Sequence, residues 1–239
     1  MEKKVAVVTG AASGIGYSVL NYLKKRDIDV VAVDIVNMKG FDDIFYHCDV
    51  SSEENVRATA DIIENKVGRI DYLVLAAGIL CVNTRLMITE MSADEWNGVL
   101  GVNLNGVMYC LKYFLPLMNN GGAVVTFSSE QTIRPIARSA PYLVSKTAVE
   151  ALTKLAAIEM IEKKVRINCV RAATVDTNFF ANYVKESDIR KRMRDDMDEK
   201  MPLGIISPDD IAHISWGLLS DENTKITGQV ITVDGGILL

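Results

Sequence analysis

With 239 residues the chain can bury one large core without disulfide or metal staples. Hydrophobic residues make up 49% and charged residues 24%, a globular balance that excludes a disordered chain. A formal net charge of -5 argues against nucleic acid or an anionic membrane as a partner, since both attract basic surfaces. The longest mostly apolar run, Tyr72 to Val82, is too short to span a bilayer, and Met1-Glu2-Lys3-Lys4 lacks the apolar stretch of a signal peptide, so a cytoplasmic protein is expected. Cys48, Cys81, Cys110 and Cys169 lie far apart in or beside apolar runs, the pattern of buried thiols, and His47 and His213 form no pair at metal-ligand spacing. No metal is expected, and no linker or repeat divides residues 1–239, which read as a single domain.

The first element is a short apolar run, Val5 to Val8, of the kind that forms a buried parallel strand. It leads into Thr9-Gly10-Ala11-Ala12-Ser13-Gly14-Ile15-Gly16 and then into a helical pattern reaching about Arg26. Gly10 permits a tight reversal, and Gly14 and Gly16 clear side chains from a backbone that an anion must approach, with the positive end of the helix behind it. The spacing Gly-x-x-x-Gly-x-Gly differs from the common Gly-x-Gly-x-x-Gly, and alone it also fits an ordinary strand-to-helix turn. Its place after a buried strand points to a nucleotide cofactor. A second strand, Asp29 to Asp34, ends in an acid eighteen positions after Gly16, where a carboxylate can accept from both hydroxyls of an adenosine ribose and repel a 2′-phosphate.

Thr9-Gly10-x-x-x-Gly14-x-Gly16 in this position resembles the short-chain dehydrogenase/reductase family in its compact single-domain form. NADP-using relatives tend to carry a basic residue in the turn; Ser13 is neutral here, which together with Asp34 favours NAD. A third strand, Ile44 to Cys48, precedes Asp49-Val50, the pair that by the resemblance holds the adenine; Ser51-Ser52-Glu53-Glu54 then opens a helix. The fourth strand, Asp71 to Ala76, runs into Leu75-Ala76-Ala77-Gly78 where the family usually has Asn-Asn-Ala-Gly. Both amides are lost, but Ala76, Ala77 and Gly78 remain small enough for the cofactor to approach the backbone. Residues 79–91 follow as a loop facing the site.

Ser92 caps the next helix, which is expected to run through Asn103 to about Met118. Asparagine is a poor helix-interior residue, and the resemblance supplies a reason for it: an active-site asparagine that holds a water relaying protons from the catalytic lysine. Gly121-Gly122 is expected to end that helix, with a fifth strand from Ala123 to Phe127 closing on Ser128-Ser129. Tyr142 and Lys146, at i and i+4, share one face of a helix expected to reach Lys164. By itself Tyr-x-x-x-Lys is a weak signal; with Ser129, the glycine turn and Asp34 in order, the resemblance covers the whole chain. A sixth strand, Val165 to Val170, precedes Arg171-Ala172-Ala173, where relatives generally have Pro-Gly in place of the two alanines. Val175 and Thr177 join the cofactor-binding set by the same resemblance. The charged stretch Asn178 to Met201 corresponds to the family's lid over the substrate, Ser207 caps a last helix, and Gly228 to Asp234 forms a last strand.

Alternating strands and helices imply an α/β fold, a doubly wound, Rossmann-like parallel sheet of about seven strands with helices on both faces. The chemistry implied is reversible hydride transfer between NAD and a small-molecule secondary alcohol or ketone, with Asn103, Ser129, Tyr142 and Lys146 as the catalytic set. Tyr142 is the acid/base. A free phenol has a pKa of about 10, and bringing it near 7 requires roughly 4 kcal/mol favouring the phenolate. One ammonium at ~4 Å in an effective dielectric of about 20 contributes about that much, which is the part assigned to Lys146. Ser129 holds the substrate oxygen, and Glu130, Arg134, Arg138 and Arg171 hint at a polar substrate pocket. Two other enzyme readings and one non-enzyme reading stand beside this: a 3-oxoacyl-carrier-protein reductase, which usually prefers NADPH; a sugar-nucleotide epimerase, which needs a longer C-terminal domain; and a cofactor-binding regulator without turnover. The helices bearing Asn103 and Tyr142 look apolar over more than one face, and relatives pack these helices between subunits, so a homotetramer is expected, with a dimer as the alternative.

Overall fold

In the computed structural model, residues 3–38, 40–41, 44–81, 86–177 and 187–239 are described. The apolar runs become β1 (Val5–Thr9), β2 (Asp29–Asp34), β3 (Phe45–His47), β4 (Ile70–Leu75), β5 (Met118–Ser129), β6 (Arg166–Ala172) and β7 (Val230–Val233). They pair in parallel in the order β3-β2-β1-β4-β5-β6-β7, so the chain winds outward from β1 first to one edge and then to the other. Helices α1 (Gly14–Lys24), α2 (Glu53–Val67), α3 (Ala93–Leu100), α4 (Gly106–Phe114), α5 (Ala140–Glu159), α6 (Ser187–Lys200) and α7 (Pro208–Leu219) connect them. Side chains alternate along the strands, so the sheet contributes to two cores, one on each face. Ala6 and Val8 pack with Leu20 and Leu23 of α1 and Ile211 and Leu219 of α7 on one face. Val7 and Leu73 pack with Ile63 of α2, Phe114 of α4 and Val149 of α5 on the other. This is the doubly wound α/β sheet that the sequence implies.

Hydroxyl caps open α2, α3 and α7. Ser52 Oγ accepts from Asn55 N, Ser92 Oγ from Glu95 N, and Ser207 Oγ from Asp210 N while the Asp210 carboxylate accepts from Ser207 N in return. Helix ends are less regular: Asp27 after α1 and Lys164 after α5 adopt left-handed backbone, with φ of 60° and 55°. All four cysteines are buried and none forms a disulfide among the described residues. No helix of the described residues is long and apolar enough to cross a membrane.

Several boundaries differ from expectation, among them the end of α5, which stops at Glu159, short of the expected Lys164. The helix expected from Ser92 to Met118 is split: α3 passes through a π-helical turn, Gly101–Asn105, into α4, and a 3-10 turn, Leu115–Leu117, ends it. β5 then begins at Met118, so Gly121 and Gly122 lie inside the strand and do not terminate the helix. The pairing with β4 shifts register there, Ile70 opposing Met118 and Tyr72 opposing Ala123, and a Cβ on Gly122 would come within 2.7 Å of Asp71 O. β6 continues past Val170 through Ala172, opposite Val233, and Ala173 N donates to Val233 O at 2.9 Å. The expected lid lies partly outside the described residues; its described part, from Ser187, is α6. Of the loop 79–91, residues 82–85 lie outside them.

Candidate active site

The carboxyl ends of β1, β2, β4, β5 and β6 open onto one cleft of about 650 Å³. At its centre is the turn between β1 and α1. Gly10 has φ of 67°, and a Cβ added there would lie 2.6 Å from Ala77 N and 2.7 Å from the Ala76 carbonyl carbon; one added at Gly16 would lie 2.1 Å from Gly10 O. Only hydrogen fits at either position. Thr9 Oγ1 accepts from Ala77 N at 3.3 Å and Thr9 O from Ala76 N at 3.2 Å, which fixes the small pair Ala76-Ala77 beside the turn. Ser13 is extended and makes no side-chain cap, and Ser13, Gly14, Ile15 and Gly16 line the cleft at the start of α1, where backbone N–H groups have no helical partner. This bare cradle fits a pyrophosphate.

At one end of the cleft stand Asp34, Asp49 and Val50, the residues expected to hold an adenosine. Asp34 also serves the fold: Oδ2 accepts from Ala12 N and Oδ1 from Val36 N, both at 2.9 Å, tying the glycine turn to the end of β2. Each oxygen keeps a lone pair for a ligand. Asp49 Oδ1 accepts from Ser51 N at 2.9 Å and Ser51 Oγ at 2.7 Å, so it shapes the approach to α2 as well as facing the cleft. Ile35 and Val36, which sequence reasoning did not single out, line this end although 56% and 60% exposed. The legible signal was two β-branched residues directly after the acid.

At the other end Ser129, Tyr142 and Lys146 line the cleft together with Gly78. Lys146 is buried on α5; its Nζ donates to Phe127 O at 3.0 Å and lies 5.8 Å from the centre of the Tyr142 ring. Burial pushes its ammonium down to about 8. A Cβ on Gly78 would stand 3.5 Å from Lys146 Nζ and 3.4 Å from Asn103 Oδ1, so Gly78 is the spacer between them. Asn103 does not line the cleft with the other three. It is fully buried in the π turn, its Oδ1 accepting from Ile79 N and its Nδ2 donating to Ile79 O and to Ser145 Oγ. Its side-chain amide thus bridges Ile79 and Ser145. Val175, Thr177, Ala172 and Ala173 close the remaining side, with Thr177 packed 3.5 Å from where a Gly14 Cβ would be.

Of the four charged residues expected to face a substrate, Glu130 alone lines the cleft. Arg171 is turned away and forms a two-bond ion pair with Glu150 of α5, Nε to Oε1 at 2.9 Å and Nη2 to Oε2 at 2.7 Å. Ser128 and Thr132 hydroxyls donate to the same carboxylate. Gln131, beside Glu130, also lines the cleft and carried no sequence signal.

A family model described as Enoyl-(Acyl carrier protein) reductase matches residues 10–238. A 3beta-hydroxysteroid dehydrogenase of Mediterraneibacter gnavus is 31% identical over 265 residues, covering 98% of this chain and 95% of that one. Among solved structures, the ligand-free aldohexose dehydrogenase of Thermoplasma acidophilum superposes with a TM-score of 0.91 at 30% identity, covering 99% of this chain and 94% of that one. ElxO with NADP bound superposes with a TM-score of 0.86 at 30% identity, covering 99% of each chain. The likeness runs through glycine turn, sheet and cleft alike, and the chain belongs to the short-chain dehydrogenase/reductase family of oxidoreductases.

Proposed function

We propose that this is a cytoplasmic, single-domain, NAD(H)-dependent oxidoreductase acting reversibly on a secondary alcohol and its ketone. The observation that carries this reading is the convergence of Ser129, Tyr142 and Lys146 at one end of a cleft whose other end holds Asp34. Bound in that cleft, the nicotinamide cofactor supplies or accepts the hydride. The chain's own residues have three tasks. The glycine turn and the first N–H groups of α1 hold the pyrophosphate, and Asp34 holds the ribose hydroxyls. Ser129 Oγ positions the substrate oxygen, while Tyr142 gives that oxygen a proton in reduction and removes it in oxidation. The Lys146 ammonium, anchored by Phe127 O, favours the phenolate during that exchange. Asn103 acts through Ile79 and Ser145, keeping the backbone beside Gly78 in place.

A panel of secondary alcohols with NAD and of ketones with NADH tests this, with Tyr142→Phe as the control. Turnover by the native chain and none by the variant, with NADH still quenching protein fluorescence in both, is the expected result. Cofactor binding without turnover across the panel would leave the regulator reading. A second reading, an NADP-dependent 3-oxoacyl reductase, has support for its cofactor alone from the NADP-bound ElxO and is opposed by the Asp34 carboxylate. A homotetramer is proposed as well: Val144, Leu155 and Ile158 on one side of α5 and Met108 on α4 are exposed apolar residues.

A further inference from the structure

Glu130 has no task in the reaction above, yet it follows Ser129 directly and is only 5% exposed. β5 ends at Ser129 and turns at once into a 3-10 turn, Glu130–Thr132. There Ser129 Oγ donates to Glu130 Oε2 at 2.9 Å and accepts from Gln131 N at 3.3 Å. Among the described residues no lysine or arginine forms an ion pair with Glu130. Burying a carboxyl this far without a cation is unfavourable unless donors reach it. The next residue is buried as well: Gln131 is 8% exposed, and among the described residues its Oε1 has no hydrogen-bond partner. Both residues line the cleft, so Ser129 stands beside a buried carboxyl without a paired cation and, next to it, a buried amide oxygen that lacks a donor.

We propose that Glu130 and Gln131 form a subsite for a second hydroxyl on the carbon next to the reacting one, so that the substrate is a vicinal diol or the matching α-hydroxy ketone. This rests on the reading in which Ser129 holds the substrate oxygen. The spacing supports it: Ser129 Oγ and Glu130 Oε2 are separated as two oxygens on adjacent gauche carbons are, so a substrate oxygen seated at Ser129 brings its neighbour to Glu130. A hydroxyl fits better than an ammonium. Burial pushes the Glu130 carboxyl up, against the hydrogen bonds from Ser129 and from the backbone N–H groups of Glu130 and Gln131 and the charge of Arg134, and a hydroxyl can pair with either protonation state whereas an ammonium requires the anion.

The test uses Tyr142→Phe protein saturated with whichever nicotinamide cofactor it binds, so that binding is read apart from turnover. Calorimetric titration compares trans-1,2-cyclohexanediol, cyclohexanol and trans-2-aminocyclohexanol. The diol is expected to bind about tenfold tighter than cyclohexanol, the scale of one hydrogen bond to a charged acceptor, and Glu130→Ala in the same background should bring the ratio within about threefold of one. Glu130→Gln keeps the volume and an acceptor for Ser129 while removing the charge, should lower the ratio by at least about threefold, and serves if the alanine variant does not fold. Equal binding of diol and cyclohexanol, a ratio that survives both substitutions, or tightest binding of the amino alcohol would each overturn the proposal. If the diol preference and its loss are seen but the native chain oxidises neither alcohol, the subsite stands and the hydride-transfer reading fails.

Discussion

Asn103 and Ile79 hold each other by a pair of 2.8 Å hydrogen bonds, the side-chain amide of one closing on the backbone N–H and C=O of the other. The residue expected to carry a water is, in its side chain, a clamp on the strand-to-loop junction beside Lys146. Asn103→Leu should therefore lower stability by about 1–3 kcal/mol, the penalty for stranding buried backbone groups, and also reduce kcat because Gly78 loses its support. Thermal unfolding alongside steady-state kinetics checks this. Unchanged unfolding would show that the pair contributes nothing.

Lys146 should weaken the fold it serves. Its ammonium titrates near 8 in the folded chain against 10.5 ordinarily, so below about pH 8 both states are charged and the burial penalty is fully present. The penalty is relieved as pH rises from about 8 to 10.5, because there the unfolded chain binds more protons. Lys146→Met is expected to raise stability at pH 7 by roughly 3 kcal/mol or less, with the gain shrinking above pH 8, and to abolish turnover. Denaturant unfolding at pH 7 and pH 10 reads the difference.

Asp34 joins cofactor choice to the shape of the glycine turn. Asp34→Ala with Ile35→Arg should narrow a preference for NAD over NADP by about tenfold or more. The same change removes acceptors from Ala12 N and Val36 N and should lower stability by about 1–2 kcal/mol. Fluorescence titration with both cofactors is the measurement; equal affinity of the native chain for the two would show that Asp34 does not select.

Glu150 is held below the usual carboxylate range: burial pushes it up, but the Arg171, Ser128 and Thr132 donors outweigh that. Its contribution is present above the ordinary value of 4.5 and fades as pH falls through the lower folded value. Glu150→Gln should lower stability by about 3 kcal/mol at pH 7, since a part-buried Arg171 loses its partner, and by progressively less below pH 4. A destabilisation independent of pH would point to packing instead.

The exposed apolar stripe on α5 should be covered in solution. Leu155→Arg with Ile158→Arg is expected to convert a tetramer to a smaller species by light scattering, with the secondary structure retained. A native chain already monomeric at micromolar concentration would end the proposal.

The sheet was legible because its strands are short apolar runs, and the cleft because glycines, an acid and a Tyr-x-x-x-Lys pair recur at fixed offsets. What escaped were features set by contacts distant in sequence. Nothing local announces the π turn at Gly101–Asn105, which follows from fitting Asn103 to Ile79. Gly121-Gly122 reads as a helix stop, but Gly122 answers to β4 alongside and Gly121 to a left-handed backbone with φ of 83°. β6 ran on because Ala172 and Ala173, unlike proline, bring no ring and no missing donor to its end, and Ala173 N does pair with Val233 O. Arg171 looked like a substrate contact until Glu150 claimed it.

Asp27 and Lys164 sit just past α1 and α5, at the end of the sheet remote from the cleft, in backbone that L-residues adopt at a penalty. Glycine at either position should add about 0.5–1 kcal/mol without touching any group assigned to chemistry. The molecule thus separates two kinds of engineering: robustness can be adjusted at its base, while selectivity is rewritten only at its rim.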